Sequence, residues 1–417
     1  MKYLLGLSIL VAITGGLFLF LPGEKQIEIS NSNIPLASTT VSLPTKNLNE
    51  DDPPQKPLQN PPAVIRAVYF TAWSAGNNNK INYLIDLVKN TELNAVVIDI
   101  KDYSGYVFYD AKLPAVEKYK AKDVRILKIN RLIKQLHNEG IYVIARISVF
   151  QDPVLAMARP NLAIHSRVSS STLWLDNKKL AWIDPASQEA WDYNIDIAKD
   201  AANRGFDEIN FDYIRFASDG NLNDMVFPFY NSSSTFKSTV IKNFFKYLRS
   251  ELTGIKISAD LFGLSTLNKD DLGIGQVIEN AYAYFDYVSP MVYPSHYAKG
   301  FLGYKNPAEY PYEVVKYSMD SAFKRLSAYR EAQSEIQNAT STVSTTTMIS
   351  DLRLAISSKL RPWLQDFNLG ATYNAEMVRH EIQAFYDAAS STPEYDNGWM
   401  LWNPSNIYTK GALEISQ

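Results

Sequence analysis

Cysteine is absent from this 417-residue chain, which excludes a disulfide framework, a thiolate metal site, a thiol nucleophile and lipid attachment through cysteine. Histidine is almost as scarce. His137, His165, His296 and His380 are the whole set, and no two stand at metal-ligand spacing, which disfavours zinc or non-haem iron chemistry. Positive charge is not in excess either. The 41 Lys and Arg face 44 Asp and Glu, for a formal net charge of -3, so no nucleic-acid footprint is expected. The chain also lacks a G-x-S-x-G elbow, an H-E-x-x-H pair, a Walker A loop and a G-x-G-x-x-G turn, and no metal or cofactor is expected. Aromatic residues are plentiful, with 26 Tyr, 19 Phe and 7 Trp. Most such rings build cores, but Tyr and Trp faces also pack on the C–H surfaces of sugars.

The N-terminus divides from the rest. Residues 3–21 form an uncharged apolar run that spans roughly 28 Å as a helix, close to a bilayer's hydrocarbon thickness. It ends in Leu21-Pro22-Gly23-Glu24-Lys25, with no small-x-small cleavage pattern. Residues 1–22 therefore read as a signal-anchor, with a cleaved signal peptide as the alternative. Residues 23–62 are rich in Pro, Asn, Ser and Thr and read as an extended, disordered linker. A long polar domain after such an anchor is expected outside the cytoplasm, membrane-anchored or, after cleavage, secreted.

From residue 63 to 410 strand and helix patterns alternate. Strands are expected over 64–71, 94–100, 141–149, 207–212, 256–261, 287–293, 361–367 and 398–402. Helices are expected over 81–89, 124–139, 187–203, 235–252, 270–284, 312–331 and 375–389, the third capped by Asp184 or Ser187. A Ser/Thr-rich stretch near 335–350 reads as a surface insertion, and 411–417 as a tail. Eight alternations in one α/β domain favour a (β/α)8 TIM barrel.

In that fold chemistry sits at the C-terminal ends of the strands. The fourth strand is the most informative. Ile209 and Phe211 share one face, while Glu208, Asn210 and Asp212 share the other. The apolar face suits the helices, so the polar trio should point into the barrel with Asp212 at its mouth. Asp99, Asp260 and Asp366 hold comparable positions on strands two, five and seven. Paired carboxyl groups flanking a bond are what glycoside hydrolysis requires, and Asp212 with Asp260 is the preferred pair. Trp73, Tyr213, Tyr293 and Trp402 follow or end strands, as do Lys101, Arg215, His296, Gln365 and Asn403. Together they form a candidate carbohydrate-binding set.

Several segments carry a resemblance. Asn94–Asp102 with Gly105-Tyr106-Val107, the run from Gly205 to Gly220, Ser289–Pro294, Arg361–Phe367 and Gly398–Tyr408 occur in order across 64–410. In this the chain resembles the bacterial putative glycoside hydrolase domain family. The resemblance implies a glycosidase-type TIM barrel acting on an envelope or extracellular polysaccharide. A catalytically silent carbohydrate-binding barrel is the alternative, and a lyase or deacetylase fits less well. Asp207–Ile214 is similar in rhythm to the chitinase-type D-x-x-D-x-D-x-E, but Asn210 and Ile214 replace its middle Asp and its Glu.

Overall fold

Alternation along the strands sorts their side chains into two cores. Ile65, Ala67 and Tyr69 join Ala95, Val97, Tyr142, Ile144, Trp363 and Met400 in one buried cluster. Their sequence neighbours Val68, Phe70, Val96, Ile98, Val143, Ala145 and Leu401 join the helices in a second, larger cluster. Such a two-sided strand set is what a closed parallel sheet inside a helical shell demands. A computed structural model describes residues 50–340 and 357–416 and has this architecture.

Eight strands form the barrel: β1 (Ile65–Phe70), β2 (Ala95–Lys101), β3 (Tyr142–Ser148), β4 (Glu208–Asp212), β5 (Ile257–Phe262), β6 (Tyr287–Met291), β7 (Trp363–Gln365) and β8 (Gly398–Trp402). Each pairs in parallel with the next, and β8 returns to β1. The outer shell comprises α1 (Asn78–Asn90), α2 (Ile129–Asn138), α3 (Gln188–Arg204), α4 (Lys237–Glu251), α5 (Ile278–Tyr282), α6 (Pro311–Thr340) and α7 (Ala375–Ala389). Caps set several boundaries. Ser187 accepts from the Ala190 amide at the start of α3, and Asn374 from the Met377 amide at the start of α7.

Two expected helices are corrected. The helix expected over 124–139 begins only at Ile129, because Lys122–Ile126 is a strand paired with Val107–Tyr109, which itself pairs with β2. The helix expected over 270–284 shrinks to Ile278–Tyr282. Leu272, Gly273 and Gly275 ahead of it have φ of 55°, 68° and 89°, left-handed backbone that no α-helix contains. The seventh strand is shorter than expected. Pro362 interrupts it, and Lys359–Leu360 forms a separate short pairing with β6.

Of the stretch read as linker, residues 50–62 are described, and they contact the barrel domain. The Asp51 carboxylate accepts the amides of Asn130 and Arg131, both at 3.0 Å, capping α2, which has no cap of its own. Gln55 donates its amide to the Arg204 carbonyl at 3.0 Å, and Leu58 to Asp207 at 2.6 Å. Gly205, at φ 104°, closes α3 beneath this segment, and a Cβ there would meet the Gln55 carbonyl at 2.5 Å. The anchor reading of 3–21, and residues 341–350 of the Ser/Thr-rich stretch, lie outside the described residues. Among the described residues, no helix is long and apolar enough to cross a membrane.

Within the barrel Glu208 and Arg361 form a fully buried ion pair, with Nη1 of Arg361 3.1 Å from Oε2. Tyr142 donates to the same oxygen at 3.3 Å, and the Tyr287 ring lies 4.6 Å from the guanidinium. Leaving one member of such a pair uncompensated costs about 3–5 kcal/mol, whereas replacing both by apolar groups is far milder. Glu208→Ala should therefore lose stability on that scale in denaturant unfolding. Glu208→Leu combined with Arg361→Met should lose much less.

Candidate active site

Three carboxyl groups meet one guanidinium at the C-terminal mouth of the barrel. Arg146, facing inward from β3, donates Nη1 to Asp99 Oδ1 at 2.5 Å and Nη2 to Asp212. Its Nε lies 3.6 Å from Asp260 Oδ2. Strand register builds the cluster. Asp99 is opposite Arg146, Arg146 is opposite Asn210, and Asp212 ends the strand between β3 and β5. Because Asp212 and Asp260 contact one guanidinium, their nearest oxygens lie within roughly 8 Å. That bound does not exceed the ~5–9.5 Å separations of paired glycosidase carboxyl groups.

The carboxyl groups differ in their partners. Asp260 Oδ1 accepts from Asn210 Nδ2 and from Trp363 Nε1, both at 2.8 Å. Burial, with the Asp212 charge beside it, pushes the Asp260 carboxyl up to about 7. Burial likewise lifts Asp99 to about 6, against the opposing pull of Arg146 and of the Tyr69 hydroxyl that donates to it. Burial alone would lower the Arg146 pKa, but Asp99 and Asp212 outweigh it and hold the guanidinium charged. Asp212 accepts from Arg146 and, through Oδ1, from the Tyr213 amide at 2.5 Å. Tyr213 has φ 54°, an uncommon conformation for a bulky residue that clusters at functional sites.

Above the cluster opens a cavity of about 340 Å³, within the ~300–1,000 Å³ range of small-molecule sites. Asp212, Asp260, Arg146 and Arg215 face it among the rings of Tyr69, Tyr213, Phe262, Tyr293, Trp363 and Trp402. Tyr293 and Trp402 stand 5.2 Å apart between ring centres, at 34°. His296 also lines the cavity, its Nδ1 3.0 Å from Ser295 Oγ, and burial lowers its pKa so that it is neutral at pH 7. Among the described residues, no group of three or more His, Asp or Glu side chains could hold a metal ion.

Residues 67–408 match the family described as "putative glycosyl hydrolase domain". The chain belongs to that family. Among solved structures, a hypothetical protein from Ruminiclostridium thermocellum is 38% identical, covering 50% of this chain and 98% of its own, with a TM-score of 0.43. The glycoside hydrolase domain of PgaB (BpsB) from Bordetella bronchiseptica is 13% identical, covering 85% of this chain and 100% of its own, with a TM-score of 0.53. That second likeness is one of fold. No curated protein sequence matches.

This member of the glycosyl hydrolase domain family brings together only part of the residue set suggested by its sequence. Asp212, Asp260, Tyr213, Arg215, Tyr293, His296 and Trp402 line the cavity. Asp99 lies behind Arg146, only 3% exposed. The remainder point elsewhere. Both Asp366 oxygens are taken by the Thr409 amide at 2.8 Å and hydroxyl at 2.6 Å. Lys101 is fully buried against Asp152 at 2.9 Å and the Ser148 carbonyl. Gln365 holds Ser295 at 2.7 Å, and Asn403 donates to the carbonyls of Asp366 and Ile407. Trp73 packs on Phe108 and under Arg125, away from the cavity.

Arg146, Tyr69, Asn210, Phe262 and Tyr297 were absent from that set. For Arg146 a signal was present: it is the sole charge in an apolar strand and shares the inward parity of Tyr142 and Ile144.

The raised acids have a consequence for stability. In the native state Asp260, Asp99 and Asp366, pushed up to about 7, 6 and 6, keep protons that the unfolded chain has already released. The native state thus binds more protons between about pH 4 and pH 7, and stability falls as pH rises through that window. The denaturation midpoint should be higher near pH 5 than near pH 8, and Asp260→Asn should narrow the difference. A midpoint that climbs with pH would contradict the assignment.

Proposed function

We propose that the chain is a glycoside hydrolase that cleaves an envelope or extracellular polysaccharide, with Asp212 and Asp260 as its working pair. One observation carries this reading. Two carboxyl groups share a single guanidinium beneath an aromatic-walled cavity, and burial beside the Asp212 charge raises the pKa of Asp260. Asp260, which keeps its proton up to about pH 7, is suited to give it to the glycosidic oxygen. Asp212, ion-paired to Arg146 and fixed by the Tyr213 amide, is suited to attack the anomeric carbon or to activate water. Asp99 and Tyr69 hold Arg146 from behind. The wall rings and Trp402 would carry the sugar faces. Membership of the glycosyl hydrolase domain family supports the same class of reaction. The proposal includes a location outside the cytoplasm, tethered or exported through the uncharged run 3–21.

A second reading has its own support. Asp260 is 1% exposed and already spends one oxygen on Asn210 and Trp363, as it would in a carbohydrate-binding barrel without turnover. Kinetics on a glycan panel separate the two. On its natural glycan, Asp212→Asn should lose roughly 10³-fold or more in kcat and keep binding. Asp260→Asn should lose about 10²–10⁴-fold on that glycan, yet recover on aryl glycosides whose leaving group needs no proton. Wild-type kcat should decline above pH 7 as Asp260 ionises. If wild type and Asp212→Asn bind a glycan equally and neither cleaves any, the hydrolase reading fails and the binding barrel stands.

A further inference from the structure

Arg215 differs from the other buried arginines of the barrel interior. Arg146 has Asp99 and Asp212, and Arg361 has Glu208. Arg215 is also buried, 8% exposed on the cavity wall, yet it makes no salt bridge among the described residues. Only Nη1 is engaged, donating to the Phe216 carbonyl and to Ser218 Oγ, each at 3.1 Å. Nε and Nη2 have no hydrogen-bond partner among the described residues. The guanidinium is nonetheless firmly placed, 4.6 Å from the centre of the Phe262 ring, 4.9 Å from that of Trp182 and 5.3 Å from that of Tyr213.

The acids that act on it are committed elsewhere. Asp212 is bound by Arg146, Asp176 by Gln151 at 2.6 Å and Trp182 at 3.0 Å, and Asp219 accepts the Asn177 amide. Desolvation consequently lowers the Arg215 pKa. A positive group held mostly out of water without a counter-ion is costly until an anion arrives. Its two unused N–H groups form an edge that matches the two oxygens of a planar carboxylate.

We propose that Arg215 binds a carboxylate borne by the substrate, so that the glycan is one containing uronic acid residues. This deepens the glycosidase reading and rests on it. The aromatic faces of the cavity would take the ring of the sugar while Arg215 takes its C-6 carboxylate.

Calorimetric titration of wild type and Asp212→Asn tests the assignment, using uronate oligosaccharides and the same oligosaccharides after carboxyl reduction. At least one uronate ligand should bind about tenfold or more tightly than its reduced counterpart, with the preference fading as salt rises. Arg215→Met should cut that preference below about twofold, and Arg215→Lys should keep part of it. The carboxyl-reduced comparison needs no substitution, so it stands even where a variant fails to fold. Equal binding of reduced and unreduced ligands, no binding of any uronate, or tight binding of sulfated glycans alone would overturn the proposal. Cleavage of a neutral glycan without any uronate preference would sink this assignment and leave the hydrolase. Uronate preference with no cleavage by wild type would do the reverse.

Discussion

The charge of Arg146 is the constraint on which the mouth of the barrel depends. Three carboxyl groups from β2, β4 and β5 converge where water is largely excluded. Without a cation they would repel one another and take up protons. An arginine suits the task because its planar fork can serve several oxygens in fixed directions, whereas a lysine supplies one point charge. One positive charge cannot balance three negative ones in a dry site. A proton makes up part of the shortfall, and Asp260, buried beside the Asp212 charge, takes it most readily: its oxygens have the more neutral neighbours, an amide, an indole and only the distant edge of Arg146. The raised pKa of Asp260 thus follows from its burial and from the charges gathered around one side chain.

A second ion pair deeper in the barrel bears on the same asymmetry. Glu208 lies two residues before Asn210, and Arg361 two residues before Trp363. Asn210 and Trp363 are the two donors to Asp260. Glu208 and Asn210 share the inward face of β4, and the Glu208–Arg361 pair ties that strand to the segment just before β7. That relation aims both donors at one oxygen. The buried pair is therefore more than a structural expense.

Much of this was legible in the chain, and the limits have physical causes. Alternation within each strand revealed which residues face inward, so Glu208, Asn210 and Asp212 could be placed on one face from Ile209 and Phe211 alone. Asp260 was singled out on another ground, its place at the end of the strand beside that of Asp212. Partners were not legible. Asp366 ends a strand as Asp260 nearly does, but Thr409, 43 positions later, returns to take both its oxygens. Lys101 has the inward parity of Asp99, yet Asp152 in the loop after β3 claims it. Such claims depend on loops whose paths leave no periodic trace. The helix expected over 124–139 failed for a related reason. Lys122–Ile126 has apolar residues at a spacing that either element tolerates, and pairing with Val107–Tyr109 decided it.

The run Asp212-Tyr213-Ile214-Arg215 shows how local backbone turns a strand end into a site. In a continuing strand Asp212 and Tyr213 would point to opposite faces, and only one of them could reach the cavity. The left-handed turn at Tyr213 breaks that alternation. Asp212, Tyr213 and Arg215 all reach the wall, while Ile214 is buried in the core shared with the helices. A bulky residue in this conformation costs of order 1–3 kcal/mol. The hydrogen bond from the Tyr213 amide to the Asp212 carboxylate and the packing of the Tyr213 ring on Arg215, Trp182 and Tyr103 offset part of that cost. A glycine would relieve the strain and lose the ring. Retaining tyrosine here trades backbone ease for a wall that positions a carboxylate and a guanidinium at once.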